Sequence, residues 1–355
     1  MPYAKRPVSS HDPHEIRTGV QHFEVSADEA GQRLDNYVHK HLAGVPRSRI
    51  YRVIRKGEVR VNGRRAGPEL RLQAQDKVRI PPVRVVPPAV TGRPSPELTD
   101  RIARAIVHED QKLLVLDKPA GVAVHGGSGV SFGVIESLRA LRPGESLELV
   151  HRLDRDTSGC LLVARHAATL RALHALIRES GVEKRYLALV KGKWELGAKR
   201  IDVPLRTDTR VGGERTVRAA PSGKHSLSEF RPVQFFGKTA TLMQVTLHTG
   251  RIHQIRVHAA HAGHPVAGDE KYGDAAFNET MRALGLRRMF LHAHSLSFAW
   301  PHGGEFSINT PLPAELAAVI DQLDAARARV RRAPVRRARA KAGGSQRRAA
   351  LPRAR

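Results

Sequence analysis

The sequence is poor in cysteine and in negative charge, and it has no long apolar run. Its single cysteine, Cys160, in 355 residues excludes an intrachain disulfide and a thiolate metal cluster and points to a reducing compartment, the cytoplasm. Cys160 lies in the apolar run CLLVA, where a free cysteine serves as core filler. No stretch approaches the roughly 18 apolar residues that a membrane-spanning helix needs. The opening segment MPYAKRPVSSHDPHEIRTGVQ lacks the apolar stretch of a secretory signal and is expected to be a polar, disordered lead over residues 1–22. Acidic residues number 34 against 60 Lys and Arg, a formal net charge of +26. That balance selects a polyanionic partner, with nucleic acid first and an acidic membrane surface second.

What is present is enough for two domains. Residues 80–100, IPPVRVVPPAVTGRPSPELTD, contain six prolines and little periodicity. They mark an extended linker, placed at 83–100, between a small unit at 23–82 and a larger one at 101–326. From Arg327 onward the chain carries twelve Lys and Arg and no acid, which predicts a disordered basic tail over 327–355. Its two readings are an RNA tether and a solubilising appendage.

In the small unit, Leu34, Tyr37, Val38 and Leu42 recur at helical spacing. RSRIYRVIRKG then sets Ile50, Val53 and Ile54 against Arg49, Arg52 and Lys56. EVRVNGRR alternates and turns at Asn62-Gly63, a hairpin signal, and DKVRI closes the unit as a strand. Residues 31–82 hold thirteen Lys and Arg against four acids, a one-sided surface suited to phosphates. Arg47, Arg49, Arg52, Arg55, Lys56 and Arg60 are the expected contacts. GQRLDNYV followed by SRIYRVIRKGEVRVNG resembles the αL RNA-binding domain found in a ribosomal protein, a tRNA synthetase and several RNA-modifying enzymes. The resemblance implies structured RNA rather than DNA.

The larger unit alternates strand-like runs (LLVLDKPAG, CLLVARH, RYLALVKG, SEFRPVQFF, KTATLMQVTLHTG) with helical ones (GVIESLRALR, ATLRALHALIRESG and the segment after Gly250). The expected fold is α+β with a mixed, largely antiparallel sheet. Four motifs carry chemistry. HRLDRDTSG, residues 151–159, sets Asp154 among arginines at the edge of an apolar strand, where a reactive carboxylate is held still. TGRIHQIRVHAAHAGHP offers histidines at 253, 258, 261 and 264, but without the i, i+4 pair and Glu of a helical zinc motif, so no metal is expected. Its other reading is a helix that brings Arg251 and Arg256 to an anion. VHGGSG, residues 124–129, lacks the Lys-Ser/Thr of a P-loop and reads as a tight turn. Tyr186, in EKRYLALVKG, reads by itself as core. A serine hydrolase built on Ser128 or Ser158 fails, because no G-x-S-x-G elbow exists.

Together, HRLDRDTSG, KRYLALVKG and GRIHQIRVHAAHAGHP resemble the signatures of the RluA-type pseudouridine synthases, in order and spacing, from Gly31 to about Asp324. KPAGVAVHGGSGVSFGVIESLRALRP is similar to the branch that modifies three uridines of the large-subunit (23S) ribosomal RNA. The arginine-rich tail and the long lead depart from the family pattern. The resemblance implies a cofactor-free isomerisation that cuts the N1–C1′ bond of uridine, turns the uracil and rejoins it through C5. It makes Asp154 the catalytic carboxylate and Arg256 its partner. Tyr186 becomes the tyrosine against the target base, and Arg152 the residue that fills the stack vacated by the flipped base. Nothing in the motifs requires a second subunit, so a monomer is expected. The competing readings are a noncatalytic RNA-binding protein and the same enzyme acting on tRNA or on another ribosomal hairpin.

Overall fold

A computed structural model describes residues 19–42, 45, 47–83, 92–127, 130–209 and 215–332. The small N-terminal domain begins with β1 (Gln21–Glu24), whose first two residues fall in the segment expected to be an unstructured lead, because the strand pairs antiparallel with a later one. Helices α1 (Leu34–His41) and α2 (Arg47–Arg55) follow. Strands β2 (Arg60–Val61), β3 (Arg64–Arg65) and β4 (Lys77–Ile80) complete a four-stranded sheet in the order β1-β4-β2-β3. The β2–β3 turn has positive φ at both Asn62 (51°) and Gly63 (76°), the conformation an Asn-Gly hairpin turn demands. Leu34, Tyr37, Val38, Ile50, Val53 and Ile54 pack into one core with Val59, Val61 and Val78, so the helical spacing read from the sequence is the buried face.

Residues 84–91 of the proline-rich stretch lie outside the described residues. Its two ends are not extended connection. Val83 is buried in the small core, and α3 (Pro96–Arg104) starts inside the segment. Ser95 caps it by accepting from the Leu98 amide at 3.2 Å, and Pro96 occupies the first turn, where its missing N–H costs nothing. The prolines masked a helix start.

The larger domain continues with β5 (Ile106–Glu109), β6 (Leu113–Lys118), α4 (Val134–Leu141), β7 (Glu148–Leu149), β8 (Ser158–Ala164), α5 (Ala167–Arg178) and β9 (Val182–Lys191). Then come β10 (Lys199–Asp202), β11 (Leu205–Thr209), β12 (Arg215–Ala219), β13 (Leu227–Phe236), β14 (Ala240–Leu247), α6 (Gln254–His261), α7 (Ala275–Ala283), β15 (Leu291–Ala299), β16 (Glu305–Asn309) and α8 (Ala314–Arg332). One sheet runs β10-β13-β14-β9-β15-β8-β6-β5, with β16 on β15 and β7 on β8, while β11 and β12 form a separate ribbon. Every pairing in the large sheet is antiparallel except β8 with β15. The sheet is therefore mixed and largely antiparallel. Helix α8 runs to Arg332, past the point where the basic tail was expected to begin, and the remainder of that tail lies outside the described residues.

The central strands are covered on both faces, which is why they read as unbroken apolar runs. In β8, Leu161 and Val163 enter the main core, while Cys160, Leu162 and Ala164 enter a second core behind the sheet. Strand β9 divides likewise, with Tyr186, Ala188 and Val190 on the main-core side and Leu189 behind. Tyr186 lies between Val245 of β14 and Ala293 of β15. Because β15 also pairs with the start of β8, the loop before β8 is carried to the same part of the sheet as Tyr186.

Candidate active site

That loop, residues 150–157, is held at several points. The His151 ring accepts from the Leu162 amide at 3.1 Å through Nε2. Burial holds the ring neutral, with its pKa down to about 3. Leu153 and Thr157 are buried, whereas Arg152 and Arg155 are exposed. Lys118, fully buried at the end of β6, donates from Nζ to the carbonyls of Pro119 (2.9 Å), Val122 (2.8 Å) and Arg155 (3.0 Å). Burial lowers its pKa to about 7, against the pull of Asp156 and Asp154. A lysine closing an apolar strand reads as a strand end reaching for water; here it ties the site loop to β6.

Asp154 thereby projects into a cleft of about 260 Å3, lined also by Arg152, Lys184, Tyr186, His253 and Arg256. Its carboxylate is 20% exposed. Oδ2 lies 3.4 Å from Arg256 Nη1 and 3.8 Å from His253 Nε2. Tyr186 is buried at the cleft wall, and burial together with the Asp154 charge raises its hydroxyl pKa. Lys184, also on β9, is pushed down by burial alone. Arg152 stands at the mouth with no ion pair among the described residues.

Arg256 comes from α6. The buried side chain of Gln254 fixes that helix, accepting from the Arg251 amide (3.0 Å) and Thr249 Oγ1 (2.8 Å) and donating to the Leu227 carbonyl (3.0 Å) and Ser228 Oγ (2.8 Å). Arg256 meets Asp269 twice, Nε to Oδ2 at 2.7 Å and Nη2 to Oδ1 at 2.8 Å, and its guanidinium lies 5.0 Å from the centre of the Tyr272 ring. Burial opposes the Arg256 charge, but the hydrogen bonds and charges of Asp269 and Asp154 outweigh it and raise the pKa. Burial likewise opposes the Asp269 charge, and Arg256 with the Tyr272 and Lys271 amides prevails, holding that carboxyl below its usual range.

The residues singled out from the sequence divide clearly. Asp154, Tyr186, Arg256 and Arg152 share one cleft. Arg251 lines it too, with Nε donating to the His225 carbonyl at 3.0 Å. Of the histidines, His258 bridges Ser228 Oγ (3.0 Å) and the Val203 carbonyl (3.1 Å), and His264 bonds the Lys191 carbonyl (2.7 Å). No group of three or more His, Cys, Asp or Glu among the described residues is arranged to hold a metal. In the VHGGSG turn, Glu136 accepts from the Gly126 and Gly133 amides; Ser128 and Gly129 lie outside the described residues. Arg49, Arg52, Arg55, Lys56 and Arg60 are exposed on the small domain, well separated in the chain from the cleft. Arg47 opens α2, and its side chain is outside the description. Sequence reasoning missed Asp269, Lys118 and Tyr272. Asp269 sits in GDEKYGD, which has the look of a charged surface turn, and no local signal distinguishes it.

Comparison with known proteins agrees with this architecture. Residues 112–261 match the RNA pseudouridylate synthase family, and residues 32–78 match the S4 domain. The chain is 51% identical over 314 residues to the ribosomal large subunit pseudouridine synthase C of Pasteurella multocida (strain Pm70), covering 87% of this chain and 95% of that one. It is 50% identical over 308 residues to the protein of the same name from Escherichia coli (strain K12), covering 85% and 96%. Among solved structures, human RNA pseudouridylate synthase domain containing 1 superposes with a TM-score of 0.51 at 28% identity, covering 63% of this chain and 94% of that one. The Asp154 cleft on this sheet, the small basic domain before it and these matches lead to one assignment: the chain belongs to the RluA-type pseudouridine synthase family and carries an S4 domain.

Proposed function

We propose that this enzyme converts uridines of large-subunit (23S) ribosomal RNA to pseudouridine with Asp154 as the catalytic carboxylate. The observation that carries the reading is the cleft itself, a carboxylate braced by Arg256 opposite a buried tyrosine. The names of the relatives above support the choice of RNA.

In this reading the S4 domain grips structured RNA through Arg47, Arg49, Arg52, Arg55, Lys56 and Arg60, and the target uridine leaves its stack to enter the cleft. Arg152, exposed at the mouth, takes the vacated place, a role suited to a planar guanidinium. The base lies against Tyr186. Asp154 acts on the nucleotide while the N1–C1′ bond breaks, and the uracil turns and rejoins through C5. Substrate and product are isomers, so every atom of the uridine is retained. Arg256 keeps the carboxylate ionised and aimed, so position matters more than basicity. In this reading the enzyme works as a monomer, since no motif calls for a second subunit, and it meets its ribosomal RNA in the cytoplasm.

The test is chemical mapping, because pseudouridine and uridine have equal mass. Unmodified large-subunit RNA is incubated with the wild type or with Asp154→Asn, and carbodiimide adducts are located by primer extension. New stops with the wild type alone are expected. Stops confined to tRNA would keep the chemistry and move the substrate, and stops that persist with Asp154→Asn would remove the carboxylate from its role.

A further inference from the structure

His253 precedes α6 and holds a left-handed backbone, φ 53° and ψ 21°, uncommon for a non-glycine residue and held here by constraint from its surroundings. The constraint is visible. Its Nδ1 lies 2.8 Å from the Tyr272 hydroxyl, and that oxygen accepts from the Val217 amide of β12 at 2.9 Å. With its oxygen already serving as acceptor, the phenolic proton is free to point at the ring, and no other acceptor for it lies among the described residues. Tyr272 therefore donates to Nδ1, and the ring proton is carried on Nε2. Burial lowers the His253 pKa, with the nearby Arg256 and Lys271 charges adding to it and Asp154 and Asp269 opposing, so the ring is neutral at pH 7 and has a single N–H. That N–H faces Asp154 Oδ2 at 3.8 Å.

Arg256 Nη1 approaches the same oxygen. Both cationic or polar neighbours thus crowd Oδ2, and among the described residues Oδ1 accepts no hydrogen bond. A carboxylate bonded on one oxygen by Arg256 and approached there by a second group presents the other oxygen in a preferred direction.

We propose that His253 is a positioning residue for Asp154: Tyr272 sets its tautomer so that Nε2–H, beside Arg256, holds Oδ2 and leaves Oδ1 to meet the nucleotide. The 3.8 Å gap closes to a hydrogen bond when RNA fills the cleft. Because Tyr272 is bonded to β12, the β11–β12 ribbon is mechanically tied to the reacting carboxylate. The inference rests on the catalytic reading of Asp154 given above.

The experiment compares single-turnover pseudouridine formation and RNA affinity for the wild type, Asp154→Asn and three further variants of the full chain, on a large-subunit RNA transcript. His253→Asn keeps a residue comfortable in the left-handed region but withdraws the nitrogen facing Asp154. A fall in rate of about 100-fold is expected, the scale of a misplaced reacting group, with RNA affinity unchanged. His253→Gln reaches as far as Nε2 and should recover most of that loss. Tyr272→Phe should slow the wild type several-fold yet add nothing in the His253→Asn background, since the two act through one hydrogen bond. Equal rates for His253→Asn and wild type would overturn the proposal while leaving Asp154→Asn inactive. Loss in His253→Asn without recovery in His253→Gln would overturn it as well, since a donor restored at the same reach would then do nothing for Asp154. Full activity of Asp154→Asn would instead remove the reading beneath it.

Discussion

Arg256 and Asp269 form a two-pronged ion pair that uses Nε and Nη2 of the guanidinium and leaves Nη1 for Asp154. The short contacts, 2.7 and 2.8 Å, are with Asp269, and the contact with Asp154 is the longer one at 3.4 Å. Arg256 is therefore anchored by one carboxylate in order to address another. Asp269 is in turn held by the Lys271 and Tyr272 amides at 2.9 and 3.0 Å, and its side chain is 1% exposed.

Asp269→Asn should consequently damage both stability and rate. Breaking one side of a buried pair leaves the arginine charge uncompensated, at a cost of about 3 kcal/mol, measurable from urea midpoints. The single-turnover rate should fall while RNA affinity holds. A variant of normal stability and rate would show that Arg256 is aimed by helix α6 alone.

The basic residues on and just after α2 make a prediction about salt. Replacing Arg49, Arg52, Arg55 and Lys56 together by Gln should lower the slope of log affinity against log salt by about 3, if each contacts one phosphate. The deficit should appear in KM and be small at saturating RNA. An unchanged slope would assign these residues to solubility.

Two histidines with strongly lowered pKa contribute to acid sensitivity. Burial holds His151 neutral with a pKa of about 3 and His292 with one of about 4, against 6.5 for an unperturbed ring. In the folded state both stay unprotonated, while the unfolded chain takes up protons below pH 6.5. Stability is therefore intact above about pH 6.5 and falls as pH drops toward 4, with a slope approaching about 1.4 kcal/mol per pH unit for each histidine. Urea midpoints at several pH values read this directly, and His151→Gln should flatten the slope. A midpoint constant from pH 7 to 5 would contradict the assignment.

Gly159 shows where the loop meets the sheet. It holds φ 110°, and a Cβ there would run into the backbone carbonyl of Ala293 on the parallel neighbour β15. Gly159→Ala should cost more than about 3 kcal/mol, from backbone strain and collision together. Gly144, with φ 97° and open space around it, provides the control, at about 1–2 kcal/mol for the backbone alone. Thermal midpoints of the two variants should separate accordingly.

Much of this was legible in the residues. The Asn62-Gly63 turn, the helical stripes of α1 and α2 and the buried runs of β6 and β8 follow from local periodicity and turn chemistry, which need no distant partner. Elsewhere local signals compete. The six prolines around residues 80–100 outweighed the Ser95-Pro96 helix start, and the basic run from Arg327 obscured the last turns of α8. Asp269, Lys118 and Tyr272 left no trace, since each acts on a segment brought near by the sheet.

The chain contains the triplet Arg-Leu-Asp twice, and the contrast separates the two kinds of information. In α1, Asp35 accepts from Arg33 at 3.1 and 2.9 Å, from the Tyr51 hydroxyl at 2.8 Å and from the Asn36 amide at 2.8 Å. It is satisfied and structural. In the loop before β8, Asp154 receives nothing from Arg152, which is exposed, and is held instead by Arg256, 102 residues away. The sequence by itself determined the two-domain pattern, the excess of basic charge in the small domain and the family resemblance, which singled out Asp154, Tyr186, Arg256 and Arg152, because those are properties of composition and local pattern. Which donors reach each aspartate was decided only by the tertiary structure, because the partners of Asp154 come from segments that only the folded sheet brings together.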